Sequence, residues 1–553
     1  MRTLVALAGA LLVVVSTLAL QVSGQPAANG GVYEAVGAPR RDLEKLPQAS
    51  NFALVGHASL VNPPGSRLSG EGVPRGMNAP LAIAKTCAYV GSRNGLQDAL
   101  IVDITNPRLL VVAGFVPGIP LSSSREMRAF GDLDLLVIGN FRLRKGDATW
   151  ENPTGADGTV NNFRMYNIAD CTRPVLRATI DLGPNVYHEF YLWVDPKDHT
   201  RTLLYATFND NNSGPNLPDL RVFDITNAQN GAAPSQIASF TLDPAVPADV
   251  RVNPNDPAQK FGDDQFPFKA TDLAASIDPR FLFAGRYGPQ PITQWNNRLH
   301  SLSVNPEGTR VFMANLGAGF FMLDSSNLAD PAKAKSCTPD TVTKDAATNQ
   351  DPNLCLRKLD PDPNARVTWH PPQASITHTA VQIPGRPYVL VGDERNGTTT
   401  CPWSYYRIID IRDEMRPVII SEMKLPENKP QACRRGGPGD PKYKREFSAH
   451  NATPFKDVGF FTWYSGGLRA WEYTDPHRPR ETGVFVPQPL PKVGVTWRDS
   501  DDVWAWSYPI VRNGLIYFVD MRNGLYIVKY IGPHQDEVPA QGVYAGNQTA
   551  STQ

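Results

Sequence analysis

The chain has 553 residues, with 54 Lys and Arg against 54 Asp and Glu, and 41% of it is hydrophobic. That is ample material for one large core or several small ones, which excludes disorder of the whole, and the balanced charge argues against nucleic acid or an anionic membrane as main partner, since both need a basic field. The 44 Gly and 50 Pro favour many short strands joined by turns over long helices.

Residues 1–24 open with Arg2, continue as an uncharged apolar run from Leu4 to Leu20 and end in Val22-Ser23-Gly24. This is the pattern of a secretory signal peptide; the alternative is an uncleaved anchor, against which stand a run slightly short of a full membrane span and the processing-like end. No second span follows. The expectation is a secreted or periplasmic protein with no membrane span after signal cleavage. Residues 25–50 are rich in Gly, Ala and Pro and read as a leader.

Asn51 to Leu60 reads as a strand that arrives without a partner of its own. From Leu100 onward an apolar run closed by a polar residue and a turn recurs: Leu100-Ile101-Val102-Asp103-Ile104-Thr105, then the runs beginning at Arg164, Arg221, Phe320, Arg407, Arg469 and Leu525. β-Branched and aromatic residues at strand length, closed by Asn, Asp, Pro or Gly, signal strands. Around each run a four-stranded unit can be written. In the fourth, Leu299 to Val304 precedes a turn at Asn305-Pro306-Glu307-Gly308, then Arg310 to Asn315, then Gly319 to Asp324. Four-stranded copies at a fixed period predict a propeller, and seven copies predict seven blades. The last run has no strand after it and the Asn51 strand has none before it. The fold class is therefore all-β, a seven-bladed β-propeller over residues 51–533 closed by an N-terminal strand that completes the last blade, with a polar tail at 534–553. Long insertions at 141–162, 243–298, 325–372 and 426–446 would build a rim at one end of the channel. The basic run Arg434 to Arg445 reads as a solvated loop, with an anionic-ligand site as the alternative.

The Leu-Ile-Val-Asp runs, their trailing Thr-Asn-Pro or Arg-Pro, and strand starts such as His378-Thr379-Ala380 and His450-Asn451-Ala452 resemble those of the LVIVD-repeat proteins. The resemblance implies an exported propeller, and its motif is structural, so it says almost nothing about chemistry.

Six cysteines in an exported chain imply disulfides, Cys337 with Cys355 and Cys401 with Cys433 as local staples and Cys87 with Cys171 by elimination. Of nine histidines, His188, His300, His378 and His450 each open the first strand of a successive repeat. First strands line a propeller channel, so these four imidazoles would form a ring at one depth and could ligate iron, copper or zinc. By alignment, blade 2 places Arg125-Glu126 at that position, blade 7 places Trp504-Ala505-Trp506, and blade 1 has Gly76-Met77. Glu126, Glu189 or Glu394 would orient an imidazole from behind, and Tyr187, Trp504 and Trp506 would wall an apolar pocket. The geometry is similar to the four-histidine axis of the carotenoid oxygenases and to the histidine-bound copper of the selenium-binding or methanethiol oxidase propellers. The alternative is a ring of structural histidines copied by repeat duplication, with no metal. His57, His199, His370, His477 and His534 fall outside the register and read as surface or turn residues. Asp103, Asp224, Asp324 and Asp410 recur at the ends of the runs; a turn-capping role fits them better than calcium, whose loops alternate oxygen ligands more closely. No Gly-x-Ser-x-Gly, phosphate-binding glycine loop or His-Glu-x-x-His occurs. Two functions remain open: a binding propeller that recognises a small molecule, saccharide or protein at the channel mouth, or a metal-dependent iron or copper oxidoreductase.

Overall fold

A computed structural model of the chain describes residues 25–26, 32–40, 48–61, 73–93, 97–143, 158–208, 218–240, 299–316, 319–337, 355–359, 367, 377–395, 401–434, 437, 444–491, 493–494 and 502–551. The signal segment, the insertion 243–298, most of the insertions 141–162 and 325–372, most of the basic run within 426–446, and His370 lie outside these residues.

The strands form seven sheets, each with an antiparallel core of four strands; in six of them the four run in sequence order from the channel outward. Blade 1 runs Asn78–Ala84, Cys87–Ser92, Gln97–Asp103, Val111–Pro117, and blade 2 runs Ser122–Phe130, Leu135–Arg142, Asn162–Asn167, Val175–Asp181. Blades 3 to 6 begin with Tyr187–Val194, Leu299–Val304, Thr377–Gln382 and Ala452–Pro454. Blade 7 has Ile510–Arg512, Leu515–Asp520 and Gly524–Tyr530, and Phe52–Ala58 pairs with the last of these as its outer strand. The ring is thus a seven-bladed propeller closed by the N-terminal strand. Every one of the seven recurrent runs lies on the third strand of its blade.

Burial explains the composition of each strand. Inner and middle strands are covered on both faces, as in Asn78–Ala84 and Cys87–Ser92, where every residue is buried. Outer strands such as Val111–Pro117 and Val175–Asp181 are largely exposed. The apolar core is not central: it lies in seven layers, each between two successive blades. Trp193, Tyr205 and Leu302 meet between blades 3 and 4, for example, and Tyr406, Phe461 and Trp463 between blades 5 and 6. The aspartates that end the runs cap turns. Asp103, Asp224, Asp324 and Asp410 accept the amides of Thr105, Thr226, Ser326 and Arg412 at 2.8–2.9 Å. The turn at Asn305 to Gly308 needs its glycine, because Gly308 has φ +73° and Trp193 of the preceding blade packs where a Cβ would stand.

All three disulfides form, with Cα–Cα distances of 5.9 Å for Cys87–Cys171, 5.8 Å for Cys337–Cys355 and 5.6 Å for Cys401–Cys433. The first joins blades 1 and 2. The leader lies on outer edges, Tyr33–Val36 parallel to the last strand of blade 5 and Gln48–Ser50 antiparallel to that of blade 6. The segment after blade 7 turns inward. Val543–Tyr544 pairs with the inner strand of blade 7, the Gly546 amide donates to Thr453 Oγ1 of blade 6, and Gln548 bridges to Leu192 of blade 3. Arg128 of blade 2 donates through Nε to the Asn547 carbonyl. The segment therefore crosses the channel and contacts blades on opposite sides of it. Among the described residues, no helix is long and apolar enough to cross a membrane.

Candidate metal centre

Blades 3, 4 and 5 each carry a β-bulge where the inner strand begins. The pairing shifts between Tyr187 and Phe190, between Leu299 and Ser301, and between Thr377 and Thr379, so the extra positions hold His188 with Glu189, His300 and His378. A bulge re-aims the side chain it carries, here toward the axis. His450 stands just before the inner strand of blade 6, with its amide donating to Thr462 O at 3.0 Å. Blade 2 has the same bulge opposite Gly139 and Asn140, and the extra residue is Arg125.

The four imidazoles form an arc. Ring centroids are 4.0 Å apart for His188 and His300, 3.8 Å for His300 and His378, and 4.4 Å for His378 and His450. His188 Nε2 lies 2.7 Å from His300 Nε2. Glu394 faces the arc: its carboxylate is 3.8 Å from His300 Nε2, 3.7 Å from His378 Nε2 and 3.7 Å from His450 Nε2. Glu189 Oε1 lies 3.6 Å from His300 Nδ1 and 3.8 Å from His378 Nε2. Two donor triplets result, Glu189–His300–His378 and His378–Glu394–His450, sharing His378. His188 joins them through His300.

Hydrogen bonds fix the protons on two of these rings. Thr379 donates its single hydroxyl proton to the His450 carbonyl at 2.9 Å, so toward His378 it can only accept, and His378 Nδ1, 2.6 Å away, is the protonated nitrogen. The Trp506 carbonyl accepts from His450 Nδ1 at 2.5 Å, with the same consequence. In both rings the Nε2 lone pair is left facing Glu394. His300 differs: its buried Nδ1 makes no hydrogen bond and stands opposite the Glu189 carboxylate. A metal on the Nε2 side would move the His300 proton to Nδ1, where Glu189 can accept it, so all three buried rings would hold their outer N–H against an acceptor as metal-bound imidazoles do.

Electrostatics favour the same state. Burial, followed by the neighbouring His188 and His378, pushes His300 well below the usual histidine range. Burial and then Arg125 push His378 down to about 3, and burial and then His378 push His450 well down. Neutral imidazoles are the metal-ligating form. Burial and the charge on Glu126 hold Glu189 well above the carboxylate range. Imidazole with carboxylate suits iron, copper or zinc rather than calcium or magnesium, and no thiolate is on offer, since all six cysteines are in disulfides.

The other residues named from sequence divide. Glu189 and Glu394 both stand at the rings: Glu189 lies behind His300, 3.6 Å from its Nδ1, and Glu394 faces the Nε2 atoms of His300, His378 and His450 at 3.7–3.8 Å. Glu126 does not orient an imidazole: Arg128 Nη1 donates to its Oε2 at 2.7 Å. Trp506 lies 4.2 Å from the His450 ring, and Trp504 packs with it, Met77 and Tyr464. Tyr187 is not a pocket wall, because its ring turns outward against Phe163, 4.5 Å away between blades 2 and 3. Tyr464 is the residue that sequence reasoning missed. Its hydroxyl donates to Glu394 Oε1, its ring stacks on Trp506 at 5.2 Å, and burial with the Glu394 charge keeps the phenol protonated. Glu394 and Arg93 follow directly on second strands, and Tyr464 follows one residue later, after Trp463; second strands end at the rim where first strands begin. Aligning second-strand ends across the repeats brings Glu394 and Arg93 into one register and Tyr464 within one residue of it.

No protein-family model matches the chain, and no curated protein matches it. Among solved structures it is similar to the β-propeller domain of Myceliophteria thermophila Cps50 (Swd1), at 9% identity and TM-score 0.38 over 82% of this chain and 96% of that one. It is also similar to an ancestral GH74 enzyme, at 10% identity and TM-score 0.44 over 86% of this chain and 50% of that one. Likeness at this level concerns the fold alone.

Proposed function

We propose that this chain is an exported β-propeller protein that binds one divalent transition metal, iron, copper or zinc, among His188, His300, His378 and His450 at the rim of its channel. One observation carries the reading: the Nε2 lone pairs of His378 and His450 converge on Glu394 while their Nδ1 protons are tied down by Thr379 and the Trp506 carbonyl. Export is supported by the leading apolar segment and by three disulfides. Kinship with the LVIVD-repeat proteins is supported by the recurrence of the runs on third strands. A metal held here supplies Lewis-acid or redox chemistry to a small molecule arriving at the rim.

Elemental mass spectrometry on the purified, untagged chain tests the reading, beside a His300→Ala/His450→Ala variant. The expected result is about one metal per chain, lost in the variant. No metal in either, after reconstitution, overturns it and leaves a binding propeller whose histidines are architectural, with a saccharide, protein or small molecule as its partner. A second reading, a metal-dependent oxidoreductase, is favoured by the oxidisable pair Tyr464 and Trp506 stacked against Glu394 and His450. Oxygen uptake with a chemical reductant, above that of the double variant, is its expected signature; equal uptake in both sets it aside.

A further inference from the structure

Blade 2 puts an arginine where blades 3, 4 and 5 put histidines. The bulge opposite Gly139 and Asn140 aims Arg125 at the axis by the same backbone device, and its guanidinium lies 5.2 Å above the Phe141 ring, with Nη2 3.3 Å from His188 Nε2. A guanidinium has no lone pair to offer, so this contact uses the His188 lone pair. That is the pair a metal needs. Metal binding at His188 takes the acceptor away from Arg125 and sets two cations side by side.

The charges do not balance without another anion. A divalent metal and Arg125 face the two carboxylates Glu189 and Glu394. Glu126 is already paired with Arg128. Buried positive charge in excess is costly unless it is neutralised. The open side of the site is also at Arg125: it and His188 are half-buried, whereas His300, His378 and His450 are 1–4% exposed. The opposite end of the channel is crossed by the segment after blade 7.

We propose that Arg125 is the recognition residue for a small organic carboxylate that arrives beside His188 and lies between the guanidinium and the metal. A carboxylate matches a guanidinium fork in plane and in spacing, and each of its oxygens keeps a further lone pair that can face the metal. The inference rests on the metal reading above.

Calorimetric titration of the metal-loaded chain with benzoate, and with benzamide as its neutral counterpart, tests it, once metal content has been measured. The expected result is saturable benzoate binding at least about tenfold tighter than benzamide, weakened about tenfold or more in Arg125→Gln with metal content unchanged, and partly restored in Arg125→Lys. Equal binding of the two probes by the wild type, no benzoate binding, or an unchanged Arg125→Gln with its metal in place overturns the inference and leaves the metal reading standing. A wild type that takes up no metal overturns both.

Discussion

Thr379 touches no ligand position itself, yet it decides which nitrogen of His378 is available. Replacing it by valine keeps the shape and removes the acceptor at 2.6 Å, so the ring is free to put its proton on Nε2. Metal affinity of Thr379→Val is expected to fall about 10–100-fold, with an unfolding midpoint close to wild type; a competitive chelator titration measures it. Asp520 offers a separate check at the same scale. It is fully buried in blade 7, accepts the amides of Trp504, Arg522 and Asn523, and burial pushes it up to about 7. Its folded value lies above the unfolded one, so the stability it gives is fully present below about pH 4 and is lost as pH rises toward 7, by up to about 4 kcal/mol. Because the buried His300, His378 and His450 act in the opposite direction, the check is the difference between two proteins: from pH 4 to pH 8 the denaturant midpoint of the wild type is expected to drop relative to that of Asp520→Asn. At this scale the histidines were legible and their proton positions were not. Residue spacing locates His378, but only the fold brings the His450 carbonyl to Thr379.

The strand Phe52–Ala58 closes the ring. Phe52 is 5% exposed and lies 5.3 Å from Tyr530 and 6.1 Å from Phe460, so one ring side chain ties the closing strand to its own blade and to blade 6. Phe52→Ala is expected to cost about 3–5 kcal/mol, read as a lowered midpoint in chemical denaturation at unchanged slope. The leader is anchored too: Arg40 donates to both oxygens of Asp502 at 2.7 and 2.8 Å, and its amide donates to Glu427 at 2.7 Å. The closing strand was legible because a repeat lacked one strand at each end of the chain. The edge strands Tyr33–Val36 and Gln48–Ser50 were not, because a short Gly-rich and Pro-rich segment pairs on a sheet edge through its backbone, which leaves little trace in side-chain pattern.

Across the whole molecule, seven interblade layers carry most of the apolar burial, and a smaller cluster of Met77, Tyr464, Trp504, Trp506 and Met521 lies beside the polar groups of the channel. A propeller separates stability from function in this way: each layer needs only its two neighbouring blades, while the axis collects whatever the strand ends present. Here the ends of four blades present imidazole, a fifth presents guanidinium, and second-strand ends add Glu394 and Tyr464.

The sequence by itself determined the fold class, the number of blades, the closing strand, the disulfide pairs and the register of the four histidines. The disulfide pairs follow from local spacing and elimination, and the rest follow from period and residue type, which a repeat writes openly along the chain. Only the tertiary structure decided that Glu189 stands behind His300 while Glu394 faces three Nε2 atoms, that Glu126 turns to Arg128 and Tyr187 to the interblade core, that Arg125 rather than Glu126 meets His188, and that Tyr464 adjoins the site. It also decided that the segment after blade 7 crosses the channel. The physical reason is the β-bulge and the strand end. One extra residue turns a side chain toward or away from the axis, and the partner it then meets comes from a blade that can be over a hundred residues away, as His300 is from His188.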